Sequence, residues 1–141
     1  MDVEINVWAV LAATFVSFFV GFIWYMPSVF GEQWRKLIKM DKKQMDKGPG
    51  GQGWVLTTVG AVLQAYILAH VAYLSFSFFN GSTFFESALT TAGWMWLGFQ
   101  VSMLLTHDTF EQRPLRLTAI NAGNQLLTLL GMGLVIGWIG L

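Results

Sequence analysis

The sequence predicts an all-α integral membrane protein, a single domain of four spanning helices arranged as two helix hairpins. Three observations lead there. Hydrophobic residues make up 55% of the 141 residues and charged ones only 11%, against about 25% charged in an ordinary soluble domain. With mean hydropathy at +0.55, the chain lacks the polar atoms to coat a surface facing water. The apolar residues also gather into four stretches, each near the roughly 20 residues that a helix needs to cross a hydrocarbon core of about 30 Å. Finally, all eight Lys and Arg lie in two segments flanking those stretches.

The first span is expected over residues 6–26. Asp2 and Glu4 precede it without a basic residue, and its apolar run exceeds the roughly 7–15 residues of a secretory signal. It therefore reads as an anchor that stays in place. Trp24 and Tyr25 mark its end and Pro27 turns the chain. From 30 to 47, Trp34, Leu37, Ile38 and Met45 recur at helical spacing among Arg35, Lys36, Lys39, Lys42 and Lys43. A helix with that division of faces lies in the headgroup plane, where each cation gains about 1 kcal/mol against an anionic leaflet. "KGPGGQG" at 47–53 breaks this segment before the second span, expected over 54–79. Asn80-Gly81-Ser82-Thr83 is a turn cluster, so the second and third spans (84–106) form a tight hairpin. "HDTFEQRP" at 107–114 leads to the fourth span, 115–140, with Pro114 suited to a helix start.

Charge sets the expected orientation. Arg35, Lys36, Lys39, Lys42, Lys43 and Lys47 follow the first span, and Arg113 and Arg116 follow the third. Both segments share a side, so the positive-inside rule places them in the cytoplasm and both termini outside.

Lipid offers helices no hydrophobic reason to associate, so small residues and polar contacts must hold them together. Ala9, Ala13, Ser17 and Gly21 repeat every four residues in the first span, and Thr57, Ala61, Ala65 and Ala69 in the second. Gly133 and Gly137 form a GxxxG in the fourth. These stripes are expected to pack on each other or on another subunit. A weaker pattern pairs Phe30-Gly-Glu32-Gln33 with Phe110-Glu111-Gln112, consistent with an internal repeat of two hairpins.

Polar residues inside the spans are the best pointers to function, because they are costly there. Gln64, Gln100, Asn121, Asn124 and Gln125 form a possible intramembrane polar site, with Asn121, Gln125 and Thr128 on one helical face. His70 and Glu86 both fall toward the outer leaflet, where they could share a proton; the plainer expectation is that Glu86 caps its helix and His70 makes an interhelical hydrogen bond. Trp94 and Trp96, mid-span, could line a cavity for a hydrophobic ligand; the plainer expectation is bulky core packing. His107, Asp108, Glu111 and Arg113 make a loop motif on the basic side. Its spacing matches no metal motif, and Asp108 and Glu111 are expected to pair with Arg113 and Arg116. No cysteine, intramembrane lysine, HExxH, nucleophile elbow or phosphate loop is present. The sequence thus points to no catalytic residue, no metal site and no particular cofactor.

The stretches "GFIWYMPSVFGEQW" (21–34), "AYILAHV" (65–71) and "FEQRPLRLTAINAG" (110–123) resemble a family of small bacterial membrane proteins, domain of unknown function 1761. The resemblance implies four membrane helices and a bacterial inner (plasma) membrane location, and no activity. It also implies an aromatic residue after Asn-Ala-Gly, where this chain has Asn124. The expectation is a non-enzymatic multi-pass protein that self-associates or serves as an accessory subunit. Its partners would be membrane lipid, another copy or another membrane protein, and not nucleic acid. The alternative is a small-solute or ion transporter or channel built on the polar cluster.

Overall fold

The computed structural model describes residues 3–141; Asp2 of the acidic N-terminal flank lies outside them. Among the described residues the ordered elements are all helical. Helix α1, Val7–Trp24, starts where the Asn6 side chain accepts from the Trp8 and Ala9 backbone N–H groups at 3.1 and 3.4 Å, covering donors that an N-terminus leaves free. Met26 is extended, and Pro27–Gly31 then forms a π-helical turn closed by the Gly31 N–H on the Met26 carbonyl at 3.0 Å. Residue 31 must be glycine, because a Cβ there would drive into the Tyr25 carbonyl.

The basic segment is not one amphipathic helix as expected. It divides into α2, Glu32–Leu37, and α3, Lys42–Lys47. Lys39, at φ 56°, reverses the chain between them, and the Met40 N–H closes the turn on the Arg35 carbonyl at 3.0 Å. Helix α4, Gly50–Phe78, starts on Gly50 two residues after Gly48, both glycines at positive φ. After the Asn80–Gly81 turn, Thr83 and Glu86 cap each other at the start of α5, Phe84–Met95. Helix α5 passes without a break into a π-helical segment, Trp96–Val101, and then into α6, Ser102–Phe110. Gln112, at φ 54°, turns the chain into α7, Leu115–Ile139, behind Pro114.

Helices α1, α4 and α7 are long and apolar enough to cross a membrane, with mean hydropathies of 2.1, 1.7 and 1.4. Helices α5 and α6, at 12 and 9 residues, are each too short alone. Helix α7 packs on α1 and on α5, and α4 packs on α5 and α1. Helix α4 runs antiparallel to α1, the α5–α6 rod returns beside α4, and α7 runs back against that rod, so one end carries α2, α3 and the Glu111–Pro114 loop, and the other carries the two chain ends and the 79–83 turn. These are the basic end and the termini end below.

The small-residue stripes enter one shared core of Ala9, Ala13, Ala65, Ala69, Ala88 and Ala92 with Leu129, Met132 and Ile136. Each stripe has another and larger partner than expected, however: α1 packs most heavily on α7, and α4 on α5. Thr57 is exposed. Gly133 and Gly137 lie against α5 so closely that a Cβ would meet the Ala88 carbonyl oxygen at 3.0 Å and the Phe85 Cα at 2.8 Å. The two halves of the suspected repeat differ locally. Phe30–Gln33 runs from a π turn into α2, whereas Phe110 ends α6.

Candidate functional site

The side chains that cross between helices near the basic end converge on one stretch of α7, residues 120–125. Trp24, at the end of α1, donates its indole Nε1–H to the Ile120 carbonyl at 3.0 Å. Next to it, the Tyr25 hydroxyl donates to Asn121 Oδ1 at 3.2 Å. From the opposite flank, Trp96 at the head of the π segment donates to the Ala122 carbonyl at 2.8 Å. Helix α4 contributes Gln64, whose Nε2 donates to Gln125 Oε1 at 3.4 Å. Three neighbours therefore clasp a single helical turn and a half. A Cβ on Gly123 would meet the Trp24 ring at 2.9 Å, so that glycine seats the indole.

Trp94 and Trp96 are two residues apart and so lie on nearly opposite faces of a helix with 3.6 residues per turn. Trp96, at the head of the π segment, turns toward α7, and Trp94 is 69% exposed. Both tryptophans had been expected as core; only Trp96 turns inward, and as a donor. Donors of this kind escape sequence reading, because their acceptors are backbone carbonyls that no residue type announces. The signal that could have found them is the indole's need for a partner when buried.

Of the other expected polar residues, Asn124 is 6% exposed and its Nδ2 has no partner among the described residues. Thr128 is buried one turn further along. Gln100 sits half-buried in the π segment and takes no part in the clasp. Two shallow apolar hollows, one lined by Val71, Leu74 and Phe78 and the other by Phe85, Leu134 and Trp138, lie toward the termini end and away from this stretch.

Among the described residues no hydrogen bond joins His70 to Glu86. The Glu86 carboxylate accepts from the Thr83 N–H at 2.8 Å and the Thr83 hydroxyl at 3.0 Å, closing the cap of α5 as its plainer expectation had it. His70 makes no interhelical bond in its place: its ring lies 6.2 Å from Tyr66 on its own helix, and its Nδ1 is buried without a partner among the described residues.

At the basic end, the loop motif does not act as a unit. Asp108 is 6% exposed and its Oδ2 accepts from the Thr118 hydroxyl at 2.6 Å, tying α6 to α7 across the loop. Among the described residues no arginine side chain pairs with Asp108 as expected; Glu111 does pair with Arg113, while His107 is exposed. Among the described residues no three His, Asp or Glu side chains come together. Arg116 reaches instead to Gln33 Oε1 at 2.8 Å and holds α2 against α7. The aromatic residues beside it pack with tilted rings: Phe30 lies 4.4 Å from Trp24, and Trp34 lies 5.1 Å from Tyr25. In the basic segment Arg35 grips both Glu32 oxygens, at 2.6 and 3.1 Å, and donates to the Met40 carbonyl at 3.0 Å. That guanidinium holds the Glu32 carboxyl below its usual range, and Lys36 assists at 3.7 Å. Lys39, Lys42 and Lys43 are exposed.

The architecture defines an all-helical protein with three helices able to cross a membrane and a hydrogen-bonded clasp on its last helix. A family model described as "Protein of unknown function (DUF1761)" matches residues 8–137, and the chain belongs to that family. The match takes in the whole clasp. No curated protein and no solved structure matches the chain.

Proposed function

We propose that the protein is a non-enzymatic scaffold of a bacterial inner membrane: four spans, both termini outside, acting by self-association or as an accessory subunit. The third span in this reading is the composite of α5, the π segment and α6. The carrying observation is the clasp on Ile120–Gln125. Trp24, Tyr25, Trp96 and Gln64 use their polar atoms to tie helices together, which suits a fixed frame better than a path that must open and close. Confinement of the cations to the basic end supports the orientation.

A transporter or channel is the second reading, and one observation favours it. Asn124 has a buried amide donor without a partner among the described residues, and Gln100 lies half-buried on a π segment, a feature frequent at functional sites. The scaffold reading predicts a defined oligomer, or a co-purifying membrane protein, when the chain is extracted in mild detergent and weighed by native mass spectrometry. A clean monomer with no bound protein would contradict it.

A further inference from the structure

We propose that Lys39, Lys42, Lys43 and Lys47 form a docking surface for anionic phospholipid headgroups, and that the arginines of the same end do not. The proposal rests on the membrane-spanning reading above and names a lipid class for it. It begins with what each cation at the basic end already holds. Arg35 is bound to Glu32 and the Met40 carbonyl, and Lys36 shares Glu32. Arg113 is paired with Glu111, and Arg116 with Gln33. Lys39, Lys42, Lys43 and Lys47 are all exposed, and among the described residues none has a carboxylate oxygen within 4.0 Å. Asp41 and Asp46 lie between them, so these four lysines keep a net excess of two positive charges.

Their placement is fixed from below. Trp34 packs against Tyr25 at a tilt, and the Arg116–Gln33 bond holds α2 at the end of α7. Lys39 turns the chain, and α3 then keeps Met45 half-buried while Lys42, Lys43 and Lys47 stand in the open. The lysines therefore sit a short tether from an aromatic boundary, where headgroup phosphates lie. A lysine ammonium is a rotatable point charge on a long flexible stem, able to follow mobile headgroups. Inorganic phosphate would satisfy the charge but not the apolar side that Met45 and Trp34 supply, so the occupant is lipid.

The test offers the full-length protein an equimolar mixture of phosphatidylglycerol and phosphatidylcholine, and native mass spectrometry counts the retained lipid. Two net charges at the membrane surface predict a preference for phosphatidylglycerol of roughly 30-fold. The preference should vanish in K39Q/K42Q/K43Q/K47Q, survive when the same four become arginine, survive R113Q, weaken with added salt, and resist millimolar inorganic phosphate. It is overturned if the glutamine variant keeps the preference, if R113Q alone abolishes it, if phosphate displaces the lipid, or if salt has no effect. The salt series on the unaltered protein decides the matter even if the glutamine variant does not fold. Alkaline carbonate extraction separates the two levels: an extractable chain overturns the spanning reading. A resistant chain without lipid preference overturns this proposal alone.

Discussion

The two ends of the packed helices are held by different means. Toward the termini end, Gly133 and Gly137 let α7 approach the backbone of α5, and Ala9, Ala13, Ala65 and Ala69 do the same around the core. Toward the basic end, the same α7 is gripped through its polar groups by indoles, a phenol and an amide from its neighbours. Both devices answer one problem, that apolar side chains gain nothing by leaving lipid for each other. Close approach maximises dispersion contacts and works without polar atoms. The clasp is directional and specifies which turn of α7 each neighbour meets. One end thus supplies proximity and the other register.

The sharpest way to break that division is to add atoms where backbones touch. Gly133→Leu and Gly137→Leu should each destabilise the protein by about 1–3 kcal/mol, the usual range for overpacking. Gly60→Ala, on the exposed face of α4 with nothing within 4 Å of the added carbon, should instead gain up to about 1 kcal/mol of helix propensity. Unfolding in mixed micelles with rising SDS reads both signs; a loss at residue 60 as large as that at 133 would erase the distinction.

Next in size comes the link beneath the clasp. Thr118→Val removes the only hydrogen-bond donor found for the buried Asp108 carboxyl among the described residues, and should cost about 1–3 kcal/mol. Thr118→Ser should recover most of it. If valine is as stable as threonine, Asp108 is satisfied by some other group.

Trp24→Phe and Trp96→Phe keep an aromatic ring while removing the indole donor and the second ring that carries it. The lost hydrogen bond should cost each variant about 0.6 kcal/mol and at most about 1.7, in addition to the packing lost with the second ring. Because the two indoles grip opposite flanks of α7, their effects should add in the double variant. Strong non-additivity would mean that the clasp moves as one unit. The smallest effect is expected at the Gln64–Gln125 bond, which at 3.4 Å is the longest of the set. A double-mutant cycle with leucine at both positions should give a coupling below about 0.6 kcal/mol.

How far the sequence could show this depends on the kind of contact. Spans announce themselves through length and hydropathy, and the turn at Asn80–Gly81 and the Thr83–Glu86 cap follow from local chemistry. The Gly133/Gly137 motif and the shared level of Gln64 and Gln125 follow from period and topology. The indole bonds do not, because Ile120 and Ala122 contribute carbonyls and look apolar in sequence. The Asp108–Thr118 bond spans ten residues across a turn whose shape depends on Gln112 adopting a positive φ, and arginines nearby were the more obvious partners. The division of the basic segment turns on Lys39 doing likewise, which its residue type disfavours. His70 shows the opposite limit: its position suggested an interhelical bond, and its ring lies against Tyr66 on its own helix.

The central claim is that the polar residues near the basic end bind helices together and do not line a path for solute. The chain contains no cysteine, so single cysteines at 64, 100 and 121 can be tested in membranes with a charged, membrane-impermeant thiol reagent. The scaffold account predicts that all three stay unlabelled, while a cysteine at exposed position 43 on the basic end reacts readily. Labelling at all three positions would contradict it and hand the cluster to the transport reading.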